Sequence, residues 1–306
     1  MAAATEALDL TGRMIAGPVP IRDWLVIAPV VIPITMGALT MMFRHRIRTH
    51  AATALASLAA MVVANAFLLI RVLNEGPVVM TMGRWLPPFG ISFAADALGV
   101  TFALVASLVA TICAAYAMRH IEPAERRYGF FPFLLLMMAG VSGAFLTGDI
   151  FNLYVWFEVF VISSFGLIVL GSSKARIDGA VKYATLNLIA TTLFLIATGY
   201  LYGIFGTLNM ADIARKAAAI APGAPMMTLA VLYLLAFGMK AAAFPVNFWL
   251  PASYHTPRVV TAALFGGLLT KIGIFPETMI DIATRAAGGL IDSSAYVRTV
   301  FPGEGG

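Results

Sequence analysis

Eight runs of apolar residues, each long enough to cross a bilayer, set the architecture open to this 306-residue chain. A spanning helix takes roughly 20 consecutive apolar residues. Runs of that kind fall at about 24–43, 52–73, 97–118, 129–147, 150–170, 180–203, 226–250 and 259–275. Only 11% of the residues are charged, against about 25% in a soluble domain, so lipid rather than water is the natural solvent. In lipid every backbone polar group needs an internal partner, which leaves helices or closed barrels. Run length selects helices, and the sequence predicts an all-α, polytopic membrane bundle of about eight transmembrane helices.

The connections are short and basic. Gly148 and Asp149 alone join the fourth run to the fifth, and Gly83 to Gly90 forms a Gly/Pro-rich break that reads as an interfacial hairpin anchored by Trp85. One set of connections carries Arg44, Arg46, Arg48, Arg119, Arg126, Arg127, Lys174 and Arg176. The other carries Arg13, Arg22, Arg71, Arg84, Arg215 and Lys216. The richer set lies closer to the helix ends and is expected to face the cytoplasm, with the amino terminus outside. The net charge of +5 therefore reads as membrane topology, and nucleic acid is not an expected partner. The first 23 residues, with Glu6, Asp9, Pro18 and Pro20, do not resemble a cleaved signal peptide.

Three ionisable side chains interrupt this pattern in mid-run: Glu158, Lys240 and Lys271. A charge at the bilayer centre costs about 2.5–3.5 kcal/mol, so such groups pair with one another or line an ion path. Lys240 precedes Phe244-Pro245, and proline removes a helical hydrogen bond. The seventh run is thus expected to be either an ordinary kinked span or the broken helix of a transport path. Lys240 is the expected partner of Glu158, in a gating pair or a static packing pair. Lys271 follows Gly266 and Gly267, where another helix can approach closely, and is the candidate lateral proton carrier. Lys182 lies near the end of the sixth run, where snorkelling or relay explains it equally well. His255, in a loop between Pro251 and Pro257, is either a surface histidine or a link between the lysines. Asp149 is expected to cap a helix, and Asp96, Asp178 and Glu122 to be interfacial. The single cysteine, Cys113, excludes an internal disulfide and a thiolate cluster, and the four histidines show no metal-ligand spacing. No cofactor is expected.

The residues around these charges carry a resemblance. Gly148-Asp149-Ile150-Phe151-Asn152-Leu153-Tyr154-Val155-Trp156-Phe157-Glu158 resembles the fifth-helix motif found in the D subunits of Mrp-type (multiple resistance and pH) cation/proton antiporters. Gly206-Thr207-Leu208-Asn209-Met210, the stretch from Lys240 to Phe244-Pro245, Trp249 to Pro257, and Ala263 to Gly273 extend the likeness. The wider family includes the antiporter-like subunits of NADH:quinone oxidoreductase and of membrane-bound hydrogenases.

The resemblance implies a proton-translocating subunit of a multi-subunit Na+/proton antiporter in the bacterial inner membrane. It acts there with other membrane subunits, protons and monovalent cations. It also implies Glu158 and Lys240 as the gating pair, Lys271 as lateral carrier, and Lys182 and His255 as supporting relay members. Two alternatives are a proton-pumping membrane arm of an oxidoreductase and a truncated, non-transporting remnant. Family members run to about fourteen helices in two inverted repeats; this sequence matches the first repeat only and loses the likeness beyond Phe275. Arg258 stands where the family usually has a small residue or proline. The expected organisation is a non-cytoplasmic segment at 1–23, helices one to three with the hairpin at 24–128, antiporter-like helices four to eight at 129–275, and a divergent non-spanning tail at 276–306.

Overall fold

The computed structural model of the chain describes residues 14–15, 17–217 and 225–269. Lys271, the tail at 276–306 and most of the amino-terminal segment lie outside the described residues.

Helices dominate. In chain order they are α1 (Ala28–Met42), α2 (Ile47–Glu75), α3 (Ala97–His120), α4 (Pro123–Arg127), α5 (Phe130–Leu146), α6 (Ile150–Val169), α7 (Lys174–Phe205), α8 (Met210–Ala217), α9 (Met226–Lys240), α10 (Trp249–Tyr254) and α11 (Val259–Leu264). A π-helical turn at Phe265–Leu269 continues α11. Four of these (α2, α3, α6 and α7) are long and apolar enough to cross a membrane, and α1, α5, α9 and α11 with its π turn are shorter apolar helices. Every predicted run therefore holds a helix, and the chain is an all-α polytopic membrane protein. The only sheet among the described residues is a hairpin at the Gly/Pro-rich break, Val78–Thr81 against Ser92–Ala95, antiparallel.

The bundle is organised around α5. This helix is apolar on all sides, as an interior helix must be, and 14 of its 17 residues are buried. It packs against α1, α2, α3 and α6. Small residues permit the closest approaches. Gly140 lies against the α6 backbone at Phe160, and Gly143 lies against the indole of Trp156. The orientation of α6, and so of Glu158, is set by this contact. α7 turns a stripe of buried residues at three- and four-residue spacing (Ala180, Tyr183, Asn187, Ala190, Phe194, Ala197, Leu201) toward α6, α9 and α10.

Polar contacts tie both ends of the bundle, and ion pairs occur at each. At one end the Gly148-Asp149 reversal hydrogen-bonds to the 206–210 loop: Ile150 N donates to Leu208 O at 2.9 Å, and Met210 N to Gly148 O at 2.9 Å. Asp149 caps α6, its Oδ1 accepting from Asn152 N at 2.8 Å. Asn209 caps α8 through Ala211 N and Asp212 N. The matching motifs in these two loops are thus a structural clasp rather than chemistry. At the other end, which carries the arginine-rich connections, ion pairs do the tying.

The seventh run departs from a simple kink. α9 stops at Lys240, and helix resumes only at Trp249. Trp249 Nε1 donates to the Met239 carbonyl at 2.8 Å, filling one of the acceptors that the interruption leaves open. The break therefore spans eight residues, and Lys240 is the last residue of a half-helix.

Candidate functional site

α9 has 15 residues, so at 1.5 Å per residue it is about 22 Å long, short of a roughly 30 Å hydrocarbon core. Its carboxyl end, with Lys240 on it, stops in the interior. Carbonyls at a helix carboxyl terminus carry partial negative charge that favours a cation, so the break provides a reason for a lysine at that depth. Lys240 is 4% exposed. Its side chain leans toward the helix amino terminus, as helical side chains do, and its Nζ lies 4.9 Å from the centroid of the Phe157 ring. That contact favours the cation.

Phe157 belongs to an aromatic cluster with Phe160, Phe194 and Phe237, at centroid separations of 5.6, 5.8 and 6.1 Å. The next residue on α6 is Glu158. Its Oε1 is buried with no hydrogen-bond partner, and Lys240 Nζ is likewise buried and unbonded. The two charges lie within electrostatic reach of each other without forming an ion pair. An acid and a base are thus held near one another in an apolar cage, each with an open bonding valence.

A hydroxyl on a neighbouring helix lies within electrostatic reach of Glu158. Tyr183 on α7 is 1% exposed, feels the charge of Glu158, and shares a 2.6 Å hydrogen bond with Ser164 on α6. Its ring packs on Trp249 and Phe265 at 5.4 and 6.3 Å, which links α7 to the elements on either side of Pro257. Tyr254 donates to the Phe265 carbonyl at 3.0 Å. Nothing in the sequence marks Tyr183 or Ser164, because a tyrosine or serine in an apolar run is common and the partner that gives it meaning sits on another helix.

The remaining predicted residues lie elsewhere. Lys182 is half exposed and pairs with Asp178, one helical turn earlier, at 2.7 Å. His255 is exposed at the end of α10, its Nδ1 against the Pro251 carbonyl. Lys271 lies outside the described residues. The structure therefore brings Glu158 and Lys240 together and does not bring Lys182 or His255 to them.

A second charged cluster has no local mark in the sequence. Glu125 on α4, 5% exposed, accepts from Arg176 Nη1 at 2.9 Å through one oxygen and from Arg258 Nε at 2.8 Å through the other. Arg258 also bonds Glu122, and these two carboxylates raise the already high pKa of its guanidinium. The partners of Glu125 are 51 and 133 residues away, so no local pattern announces them. No group of three or more potential His, Cys, Asp or Glu metal ligands occurs among the described residues.

A family model described as NADH:quinone oxidoreductase/Mrp antiporter, transmembrane, matches residues 147–289. The chain is 40% identical over 251 residues to the D subunit of a Na(+)/H(+) antiporter of Alkalihalophilus pseudofirmus, covering 82% of this chain and 51% of that protein. It is 36% identical over 255 residues to the corresponding Na(+)/H(+) antiporter protein of Bacillus subtilis, covering 83% and 52%. Among solved structures it resembles a chain of the Mrp complex from Dietzia sp. with a TM-score of 0.78 at 30% identity, over 90% of this chain and 50% of that one. A chain of an archaeal membrane-bound sulfane sulfur reductase shares the fold, with a TM-score of 0.79 at 23% identity over 84% and 53%. The chain spans about half the length of the curated relatives it matches.

Proposed function

The chain belongs to the NADH:quinone oxidoreductase/Mrp antiporter family, and from that membership we propose that it acts as a proton-translocating subunit of a multi-subunit Na+/proton antiporter. Its orientation in this reading has the arginine-rich connections in the cytoplasm of a bacterial inner membrane and the amino terminus outside. Its partners are other membrane subunits, and its cargo is protons exchanged against monovalent cations.

The observation that carries the reading is the unbonded acid and base at Glu158 and Lys240. A static packing pair would close into a hydrogen-bonded contact, because an unpaired buried charge is costly. Held apart in an apolar cage, the two have alternative states close in energy: closed, with both ionised and in contact, and open, with a proton moved off the lysine or onto the carboxylate. Lys240 is the switching member, since the half-helix end and the Phe157 ring favour its charged form while burial opposes it. In the open state its proton passes on toward Lys271, the lateral carrier in this scheme. Lys182 and His255 act as outer relay groups between this path and water.

The test is transport by the full chain assembled with its partner subunits in vesicles. A sodium gradient should drive proton movement in the opposite direction with no electron donor present. Neutralising Lys240 with Lys240→Met should abolish that movement while the complex still assembles. Proton movement that needs an electron donor would place the chain in a redox enzyme instead. Full exchange by Lys240→Met would remove the lysine from the path.

A further inference from the structure

Glu125 sits between two elements that border the Glu158 site. Arg176, which it binds through one oxygen, lies in the first turn of α7 and also donates to the carbonyl of Leu170, the residue that follows α6. Arg258, which it binds through the other oxygen, is the residue immediately before α11. One carboxylate therefore connects, through Arg176, the carboxyl end of the helix that carries Glu158 to the residue just before α11. The local backbone is built for this contact. Gly171 has φ +89°, and a Cβ there would stand 2.2 Å from Arg176 Nη1 and 2.6 Å from Glu125 Oε1, so only glycine leaves room.

The cluster has a direct route to the site. α11 continues into Phe265, whose ring packs on Tyr183 and whose carbonyl accepts from Tyr254. Tyr183 in turn bonds Ser164 and feels Glu158. Phe265 and Tyr183 thus form a packed path from α11 toward Glu158, whose Oε1 is buried.

We propose that Glu125 is a positioning residue that, by binding Arg176 and Arg258 at once, fixes the spacing between α6 and α11 and thereby the setting of Tyr183 against Glu158. The inference rests on the transport reading given above. It differs from a generic surface ion pair in two ways: the carboxylate is buried, and each of its oxygens serves a different structural element. Exposed pairs contribute little. A carboxylate at 7% side-chain exposure between two guanidiniums is different, since its loss leaves Arg176 without this anion and Arg258 with Glu122 alone.

The experiment uses the full chain in its assembled complex, with Cys113→Ala as background. Glu125→Gln and Arg258→Met, singly and together, are expected to lower the exchange rate on the order of tenfold, since displacement of about an ångström from a productive geometry costs up to ~100-fold. They should also shift its pH profile, with the double variant no slower than the slower single one. Arg258→Lys should recover part of the rate. A further variant carries Glu122→Cys and Arg258→Cys. Before linking it should be slow, and a short bismaleimide bridge between the two cysteines should restore exchange, because a covalent tie replaces the ionic one. The inference is overturned if the singles assemble and exchange at the parent rate with an unchanged pH profile. It is equally overturned if the bridged protein stays slow or the unbridged one is already at full rate. Glu158→Gln, measured alongside, separates the two levels: full exchange by that variant refutes the transport reading itself, whatever Glu125 does.

Discussion

Gly143→Ala asks whether the close docking of α5 on α6 is what sets the Glu158 helix. A Cβ on Gly143 would lie 2.2 Å from Cδ2, 2.5 Å from Cε2 and 2.6 Å from Cγ of the Trp156 indole. Ordinary carbon contacts begin near 3.4 Å, so the indole or the α6 backbone must retreat by more than an ångström. Trp156 is two residues before Glu158, and its indole nitrogen is buried without a partner, so it has no polar anchor to guide a clean rearrangement. Overpacking of this kind costs about 1–3 kcal/mol, and the helix that moves carries Glu158. Gly199 and Gly203, on an exposed face of α7, have nothing within 4 Å of the same added carbon. Alanine there is expected to gain about 0.5–1 kcal/mol from helix propensity. The assay is the midpoint of reversible unfolding in mixed micelles, with sodium/proton exchange measured on the same preparations. Gly143→Ala should unfold earlier and exchange more slowly, while Gly199→Ala and Gly203→Ala unfold at or later than the parent. A Gly143→Ala protein as stable and as active as the α7 variants would refute the docking argument.

Tyr183→Phe removes the 2.6 Å bond to Ser164 but keeps the ring against Trp249 and Phe265; unfolding should become easier by about 1 kcal/mol, and exchange should slow if the hydroxyl serves Glu158. Burial raises the carboxyl pKa of Asp149 above its ordinary value, partly offset by backbone hydrogen bonds from Asn152 and Phe151. The folded state then binds that proton more tightly than the unfolded chain, so this group's contribution to stability is present at low pH and is lost as pH rises through the raised value. Asp149→Asn keeps the cap and should be relatively more stable at neutral pH, with a flatter unfolding midpoint against pH in the acid range. Lys182→Gln breaks an exposed pair with Asp178, so stability should change by no more than about 0.5 kcal/mol and exchange should fall less than in Lys240→Met.

The helices were legible because hydrocarbon leaves few choices: a run of apolar residues of spanning length has to be helix, and each such run contains one. The break in the seventh run was legible from Pro245, but its extent was not. Lys240 ends a helix five residues before the proline, a position set by tertiary partners such as the Trp249 indole. The strands Val78–Thr81 and Ser92–Ala95 are too short to show a period, although the glycines and prolines between them marked the turn. Glu158 and Lys240 stood out because a charge is conspicuous among leucines and phenylalanines. Glu125, among charged neighbours in a connection, looked like any other surface acid. Its burial follows from Arg176 and Arg258, which reach it from distant parts of the chain. Tyr183 and Ser164 were invisible for the complementary reason, as residues unremarkable until two helices meet.

The most direct measurement is a double-substitution cycle on Glu158 and Lys240 in the assembled complex, with proton flux driven by a sodium gradient. If this acid and base work as one unit, Glu158→Gln and Lys240→Met each stop the flux, and the double variant is no worse than either. If Glu158→Gln assembles and still carries protons at the parent rate, the two charges are packing features and the account is wrong.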